Sequence, residues 1–217
     1  MILRRMQALL AGLYDAPVEH RPEEFLISDR DDLRRTLGVE VDELTDEQVF
    51  IVEAEDGLRV GLFIDRDVLE RLAIQNPLDA LSDRNLQDFC TALEGVSHFH
   101  YLMWSLARRR DVSLLELELQ AEVDKYASAL TLLTQQRRGE FPRGLHARLF
   151  DRVTFIPQLE REVRERYEAA NRHAARYCRE LDERFLKRRQ CRPEAWLCEL
   201  RRFFRFGHQQ KLLAATR

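Results

Sequence analysis

Apolar and polar residues alternate along two adjacent stretches in the first third of the chain. The segment QVFIVEAEDGLRVGLFID contains two runs rich in β-branched and aromatic residues, joined by Asp56 and Gly57. Aspartate and glycine tolerate the positive φ angles of a tight turn, so the pattern predicts a β-hairpin over residues 49–64. A two-stranded hairpin is marginal in water by itself, and we therefore expect it to pack against a helix.

Shorter patterns around the hairpin predict a strand and three helices. The first residues, MILRRMQALLAGLYDA, predict an amphipathic helix, since the apolar patch is short and no small-residue cleavage site follows it. EEFLIS predicts a short strand. SDRDDLRRTLG predicts a helix capped by Ser28 or Asp29 and ended by Gly38, and DRDVLERLA predicts another, capped by Asp65.

After Asp83 the apolar residues recur every three or four positions, which is typical of helices. The first long helix has an apolar stripe made of Leu86, Phe89, Cys90, Leu93, Val96, His100, Trp104 and Ala107. Ser113 and Glu116 form a capping box, in which the hydroxyl and the carboxylate bind backbone N–H groups. The box opens a second helix that is expected to continue to Gln136.

LHARLFDRV predicts a short helix, and two further helices complete this pattern. Pro157 suits the first turn of a third long helix that is expected to continue to Arg189, and Pro193 opens a last helix that runs through Arg205. The expected fold class is therefore α+β and mainly α. A small antiparallel sheet with its hairpin should pack against an antiparallel bundle of long helices.

Charge is distributed unevenly along the chain, although the formal net charge is only −3. Asp15 to Asp83 contain 7 Arg against 20 Asp and Glu, whereas Arg184 to Arg217 contain 10 Lys and Arg against 2 Glu. We therefore expect a small acidic α+β unit at residues 1–83, which holds the hairpin, and a helical bundle with a basic C-terminal tail at residues 84–217.

The composition is that of a soluble, cytoplasmic globular protein. A chain of 217 residues buries a sufficient core without a disulfide or a cofactor, and no segment approaches the ~18 apolar residues of a membrane span. The four cysteines, Cys90, Cys178, Cys191 and Cys198, form no CxxC pair and are expected to be free thiols. A zinc site that combines three of them with His208 is disfavoured because the spacing is irregular.

Two histidines interrupt the first long helix in the segment EGVSHFHYLMW, which begins at Glu94. At 100° per residue, His100 lies on the main apolar face, whereas Glu94 and His98 lie toward the other side. If the second helix returns antiparallel about a centre near Asp111, His100 lies level with Glu122. We therefore predict that His100 and Glu122 form a polar pair inside the bundle.

A carboxylate that faces an imidazole in a bundle has several uses. A structural hydrogen bond is favoured because buried polar groups need partners, and a metal site or an acid–base pair is the weaker alternative. The paired Glu-x-x-His motifs of dimetal bundles are missing. Glu94-x-x-x-His98 can bind a metal along one helix turn, but the sequence has no second pair of this kind. No metal, cofactor or catalytic residue is therefore predicted, and the common phosphate-loop, serine-elbow and zinc-helix motifs are also missing.

Arginines and aromatic residues alternate in the basic tail, which allows two interpretations. Such a segment can bind nucleic acid or another polyanion through phosphate contacts and stacking. The candidate residues for this role are Arg188, Arg189, Arg192, Arg201, Arg202 and Arg205. The favoured alternative is a stripe that faces the core, with the arginines on its solvated side or in contact with the acidic unit. This stripe consists of Trp196, Leu197, Leu200, Phe203 and Phe204.

Two classes of function follow, and a third is weaker. The first is a non-catalytic scaffold or adaptor that binds a protein partner or a second copy of itself. The second is a protein that binds nucleic acid or another polyanion through the tail. The third is a metal-dependent or acid–base enzyme centred on His100 and Glu122. No motif is specific enough to indicate a family.

Overall fold

A computed structural model of the protein describes residues 1–41, 45–54, 57–151, 160–186 and 193–216. In these ranges the fold is α+β and mainly α, as the periodicity predicts. The helices are α1 (Ile2–Tyr14), α2 (Arg30–Leu37), α3 (Arg66–Ile74), α4 (Leu86–Leu106), α5 (Leu114–Gln136), α6 (Arg161–Leu181), α7 (Pro193–Arg205) and α8 (His208–Ala214), and the strands are β1 (Leu26–Ile27), β2 (Glu47–Ala54) and β3 (Gly57–Ile64).

Side-chain caps determine where several helices begin. The Asp29 carboxylate accepts the backbone N–H groups of Asp31 and Asp32 at the start of α2, and the Asp65 carboxylate accepts one at the start of α3. The Ser113 hydroxyl caps α5 by accepting the N–H of Glu116 at 3.2 Å. These caps satisfy N–H groups that lack partners in the helix. The predicted capping box forms only in its serine half, because the Glu116 carboxylate is engaged by Tyr101 and Arg110 instead.

The three strands form a sheet in the order β1-β3-β2. The predicted hairpin is confirmed: β2 and β3 pair antiparallel from Glu47 opposite Ile64 to Ala54 opposite Gly57. Asp56, the first residue of the predicted turn, lies outside the described residues. The expectation of a purely antiparallel sheet is wrong, since β1 runs parallel to β3. This mixed arrangement arises because α2 and β2 carry the chain back across the sheet before β3 begins.

Helix α4 lies at the centre of the molecule and is buried along most of its length. It packs against α1, α3, α5 and the two long strands. Gly95 permits the close approach of the sheet, because a Cβ atom there would lie 3.1 Å from Glu47 Oε2 and 3.1 Å from Leu62 Cδ1. The absence of a side chain at this position therefore brings the start of β2 next to the middle of α4.

The core is shared between the two predicted units. Buried residues of α1, β3 and α3 belong to the same apolar cluster as those of α4 to α7, and α1 packs directly against α7. The boundary at residue 83 stays a prediction. In the described parts of the chain, no helix combines the length and apolar character needed to cross a membrane.

The second half differs from the predicted pattern at two π-helical turns and at one additional short helix. Single π-helical turns cover Ala147–Asp151 and Asp182–Leu186. Helix α6 begins at Arg161 in the described residues, and the predicted start at Pro157 lies outside them. Gly207 ends α7 as expected, but it also precedes the short helix α8, which the periodicity does not predict.

Candidate functional site

The predicted pair of His100 and Glu122 is not formed. His100 is fully buried, and among the described residues neither ring nitrogen has a hydrogen-bond partner. Its ring centroid lies 6.1 Å from that of Phe204, and burial lowers the pKa of His100 to about 4. Glu122 instead accepts a hydrogen bond of 2.7 Å from Lys125 Nζ.

The prediction fails because the polar side of α4, and not its apolar stripe, faces α5. Ser97 donates a hydrogen bond of 2.6 Å to Asp124 on α5, and His98 lies opposite Glu118. Other elements surround α4, so its faces have different neighbours. The apolar stripe packs against α1 and α7, and the side with Glu94 and His98 faces α5. The histidine that meets a carboxylate of α5 is therefore His98.

His98 lies between two carboxylates from different elements. Its Nε2 atom is 3.5 Å from Glu118 Oε2 of α5, and its Nδ1 atom is 3.7 Å from Glu47 Oε2 of β2. The His98 side chain is only 7% exposed, and its Nε2 and Glu47 Oε2 have no hydrogen-bond partner among the described residues. A buried polar atom without a partner costs free energy and calls for a physical explanation.

Glu94 completes a group that fits a metal ion. One donor atom each from Glu94, His98 and Glu118 lie within 4.8 Å of one another. Donors bound to one ion at about 2.1 Å lie at most about 4.2 Å apart. Small side-chain rotations would therefore bring the three donors into coordination distance.

A lysine lies beside this group. The Lys125 ammonium donates to Glu94 Oε2 at 3.0 Å and to Glu122 Oε1 at 2.7 Å, and the Lys125 side chain is 13% exposed. On the other side of the group, Arg166 Nε of α6 is 3.8 Å from Glu118 Oε1. We call these seven residues the carboxylate cluster: Glu47, Glu94, His98, Glu118, Glu122, Lys125 and Arg166.

The cluster shifts the protonation of its members. Burial disfavours the charged ring of His98, but the nearby carboxylates of Glu118 and Glu47 outweigh it and raise the pKa of His98 well above its usual range. Burial raises the pKa of Glu47 to about 7. For Glu94, burial acts in the same direction, but Lys125 and His98 outweigh it and lower the pKa of that carboxyl.

A cavity of about 410 Å³ borders the cluster. Glu94, Glu122 and Lys125 form part of its wall, and Cys90 and Arg148 form another part. Burial raises the pKa of the Cys90 thiol to about 12, so this group is protonated at neutral pH and is a weak nucleophile. The cavity is of the size that accepts a small molecule.

The described arginines of the predicted polyanion site bind other parts of the chain. Arg201 donates to the backbone carbonyls of Leu13 and Gly12 at 3.1 and 3.3 Å, and Arg205 donates to that of Asp15 at 3.1 Å. Arg202 pairs with Glu199 at 2.7 Å. The other predicted candidates, Arg188, Arg189 and Arg192, lie outside the described residues. The aromatic stripe is buried: Trp196, Leu200, Phe203 and Phe204 all belong to the core.

A second buried polar network lies on the other side of α5. Lys211 of α8 is fully buried and donates to the Gln120 side chain, and Gln120 donates to Asp124 at 2.6 Å. Tyr14 and Ser97 also donate to Asp124. This network links α1, α4, α5 and α8.

The sequence contains a signal for the carboxylate cluster. Glu94 and His98 are four residues apart on α4, and Glu118 and Glu122 are four residues apart on α5, so each pair lies on one face of its helix. The contribution of Glu47 has no local signal, because it depends on how the sheet packs. No protein-family model matches the chain, and no curated protein or solved structure is detectably similar to it.

Proposed function

We propose that this protein binds one divalent transition-metal ion through Glu94, His98 and Glu118. The observation that carries the proposal is His98 Nε2, a buried atom that faces Glu118 and has no hydrogen-bond partner among the described residues. A metal ion would supply the missing partner. Imidazole with carboxylates is a donor set that suits Zn²⁺, Fe²⁺ and Mn²⁺.

Glu47 would orient the histidine. Histidine ligands usually donate their second ring N–H to a carboxylate, which fixes the tautomer and the direction of the ring. With Nε2 turned to the metal, Nδ1–H of His98 points to the Glu47 carboxylate, which lies 3.7 Å away. Glu47 therefore has a role that does not require it to touch the ion.

The charge of the cluster favours a divalent ion. It contains four carboxylates, on Glu47, Glu94, Glu118 and Glu122, against the two cations Lys125 and Arg166. Binding at Nε2 would displace the proton of His98, and an ion of charge +2 would replace the positive charge that the imidazolium gives up, which matters because uncompensated buried charge is costly. Three protein ligands also leave coordination positions open, which is the arrangement of catalytic rather than closed structural metal sites.

Metal analysis tests the proposal. Protein purified without an affinity tag is treated with a chelator and then titrated with Zn²⁺ and Mn²⁺, and bound metal is measured after equilibrium dialysis. We expect one ion per chain, and at least tenfold weaker binding in Glu118→Gln and in His98→Leu, because each change removes a donor. Asp124→Asn is the matched control, since it changes a buried carboxylate of α5 that lies outside the cluster.

Two results would overturn the proposed metal binding. The first is that the wild-type protein retains neither ion, and the second is that both ligand variants bind as tightly as the control.

The scaffold and polyanion functions stay predictions. A protein partner is supported by the exposed apolar residues Ile51 and Leu58 on the hairpin. Polyanion binding receives less support, because Arg201 and Arg205 are engaged by the carbonyl end of α1.

A further inference from the structure

We infer that Lys125 occupies the position of a second cation, so that helices arranged to hold two metal ions hold only one. The inference rests on the proposed metal site. It also assigns a separate role to Lys125 and Glu122, which are not among the three proposed ligands.

The facing surfaces of α4 and α5 present two successive levels of ligand-type residues. At one level, His98 of α4 faces Glu118 of α5, with 3.5 Å between Nε2 and Oε2. One turn away, Glu94 of α4 and Glu122 of α5 converge on the same point, which the Lys125 ammonium occupies at 3.0 and 2.7 Å. Four-residue spacing on each helix produces these two levels.

The two levels differ in whether their polar atoms have partners. At the Glu94 and Glu122 level, the carboxylates already have one in Lys125. At the His98 and Glu118 level, the Nε2 atom of His98 lacks a hydrogen-bond partner among the described residues. Glu94 belongs to both levels, since it binds Lys125 and also lies within 4.8 Å of His98 and Glu118 as a donor.

This division resembles the arrangement of dimetal carboxylate bundles, in which facing helices contribute the carboxylates and histidines that hold two ions. Here the Lys125 ammonium of α5 occupies the position between Glu94 and Glu122 that a second ion would occupy. The adjacent cavity of about 410 Å³, whose wall includes Glu94, Glu122 and Lys125, provides space for a second ion with its water ligands.

Removal of the lysine would leave the Glu94 and Glu122 level without its cation. Glu94 and Glu122 would then form a half-buried carboxylate pair without a cation, which is unfavourable. A divalent ion that enters from the cavity would restore the balance. We therefore expect a variant without Lys125 to bind a second metal ion.

The test compares Lys125→Met with Lys211→Met. Both replace a lysine of low exposure by an apolar side chain of similar length, but Lys211 lies in the network around Asp124 and outside the cluster. Metal-free proteins are titrated with Mn²⁺, bound metal is measured by elemental analysis after equilibrium dialysis, and electron paramagnetic resonance reports coupling between neighbouring Mn²⁺ ions. We expect one ion per chain in the wild type and in Lys211→Met, and two coupled ions in Lys125→Met.

The outcomes separate this inference from the proposed function. One ion in the wild type and one in Lys125→Met would overturn the inference and leave the proposed function intact. Two ions in the wild type would also overturn it, since Lys125 would not then exclude the second. No ion in the wild type would overturn both. If Lys125→Met does not fold by circular dichroism, Lys125→Ala is used, and the same stoichiometries decide.

Discussion

Two histidines that are only two residues apart on α4 have opposite surroundings. His98 lies between Glu47 and Glu118, whereas His100 packs near Phe204 with no hydrogen-bond partner among the described residues. Both are buried, so hydrophobic periodicity alone does not distinguish them. The sequence identified the polar segment and the metal spacing of Glu94 and His98, but not the histidine that faces α5, because that depends on the rotation of an enclosed helix.

At the residue scale, we predict that His100→Leu leaves the free energy of unfolding unchanged or raises it by about 1 kcal/mol, since an apolar group replaces an imidazole without a hydrogen bond. In contrast, His98→Leu should lower it by about 3 kcal/mol in the metal-free protein, because Glu47 and Glu118 lose the cation between them. Urea denaturation measures both. A loss of more than about 2 kcal/mol in His100→Leu would show that its ring has a polar partner.

The sequence predicted where helices begin when a side chain caps them. It did not predict how elements distant in sequence pack together. Asp29, Asp65 and Ser113 act on backbone groups two or three residues away, so their signals are local. The parallel direction of β1 depends on the path of the chain between β1 and β3. The docking of α8 depends on a buried lysine, which no periodicity indicates.

At the element scale, we predict that Arg201 and Arg205 hold the C-terminal end of α1. Their guanidinium groups bind carbonyls of Gly12, Leu13 and Asp15, where α1 ends, and cations stabilise that end of a helix. Arg201→Ala with Arg205→Ala should lower the free energy of unfolding by about 1–3 kcal/mol. Arg202→Ala is the control, since Arg202 is on the same helix but pairs with Glu199 of α7 and not with the end of α1. Equal losses in the two variants would argue against this role.

The docking of α8 should depend on pH through Lys211. Burial lowers the pKa of Lys211 from 10.5 to about 7, which nearby Glu116 and Asp124 only partly oppose. Between these values the unfolded chain binds one more proton than the folded chain, so this contribution to stability rises with pH and is lost as the pH falls toward 7. The slope for one group is about 1.4 kcal/mol per pH unit.

Unfolding free energies at pH 7.5 and 9 test this dependence in the wild type and in Lys211→Met. We expect the wild type to gain more stability than the variant between the two values. An equal change in both proteins would mean that Lys211 remains charged in the folded state.

At the scale of the whole molecule, the basic tail and the acidic N-terminal part do not pair through their charged side chains at the contacts of Arg201 and Arg205. The tail does meet the N-terminal part of the chain, but Arg201 and Arg205 bind main-chain carbonyls of α1 and Asp15 rather than acidic side chains. Conversely, the acidic residue Glu47 turns inward to the carboxylate cluster. Charge counts predict which segments are acidic or basic, whereas the contacts depend on the geometry of the backbone.

The helical hairpin of α4 and α5 carries all three proposed metal ligands, and only Glu47 comes from the sheet. Contacts between neighbours in sequence form with little loss of chain entropy, and they therefore form early in folding. The ligands can meet as soon as this hairpin closes, before the strands dock beside Gly95. Metal binding would then need only this helical hairpin, whereas the contact of Glu47 with His98 would also need the docked sheet.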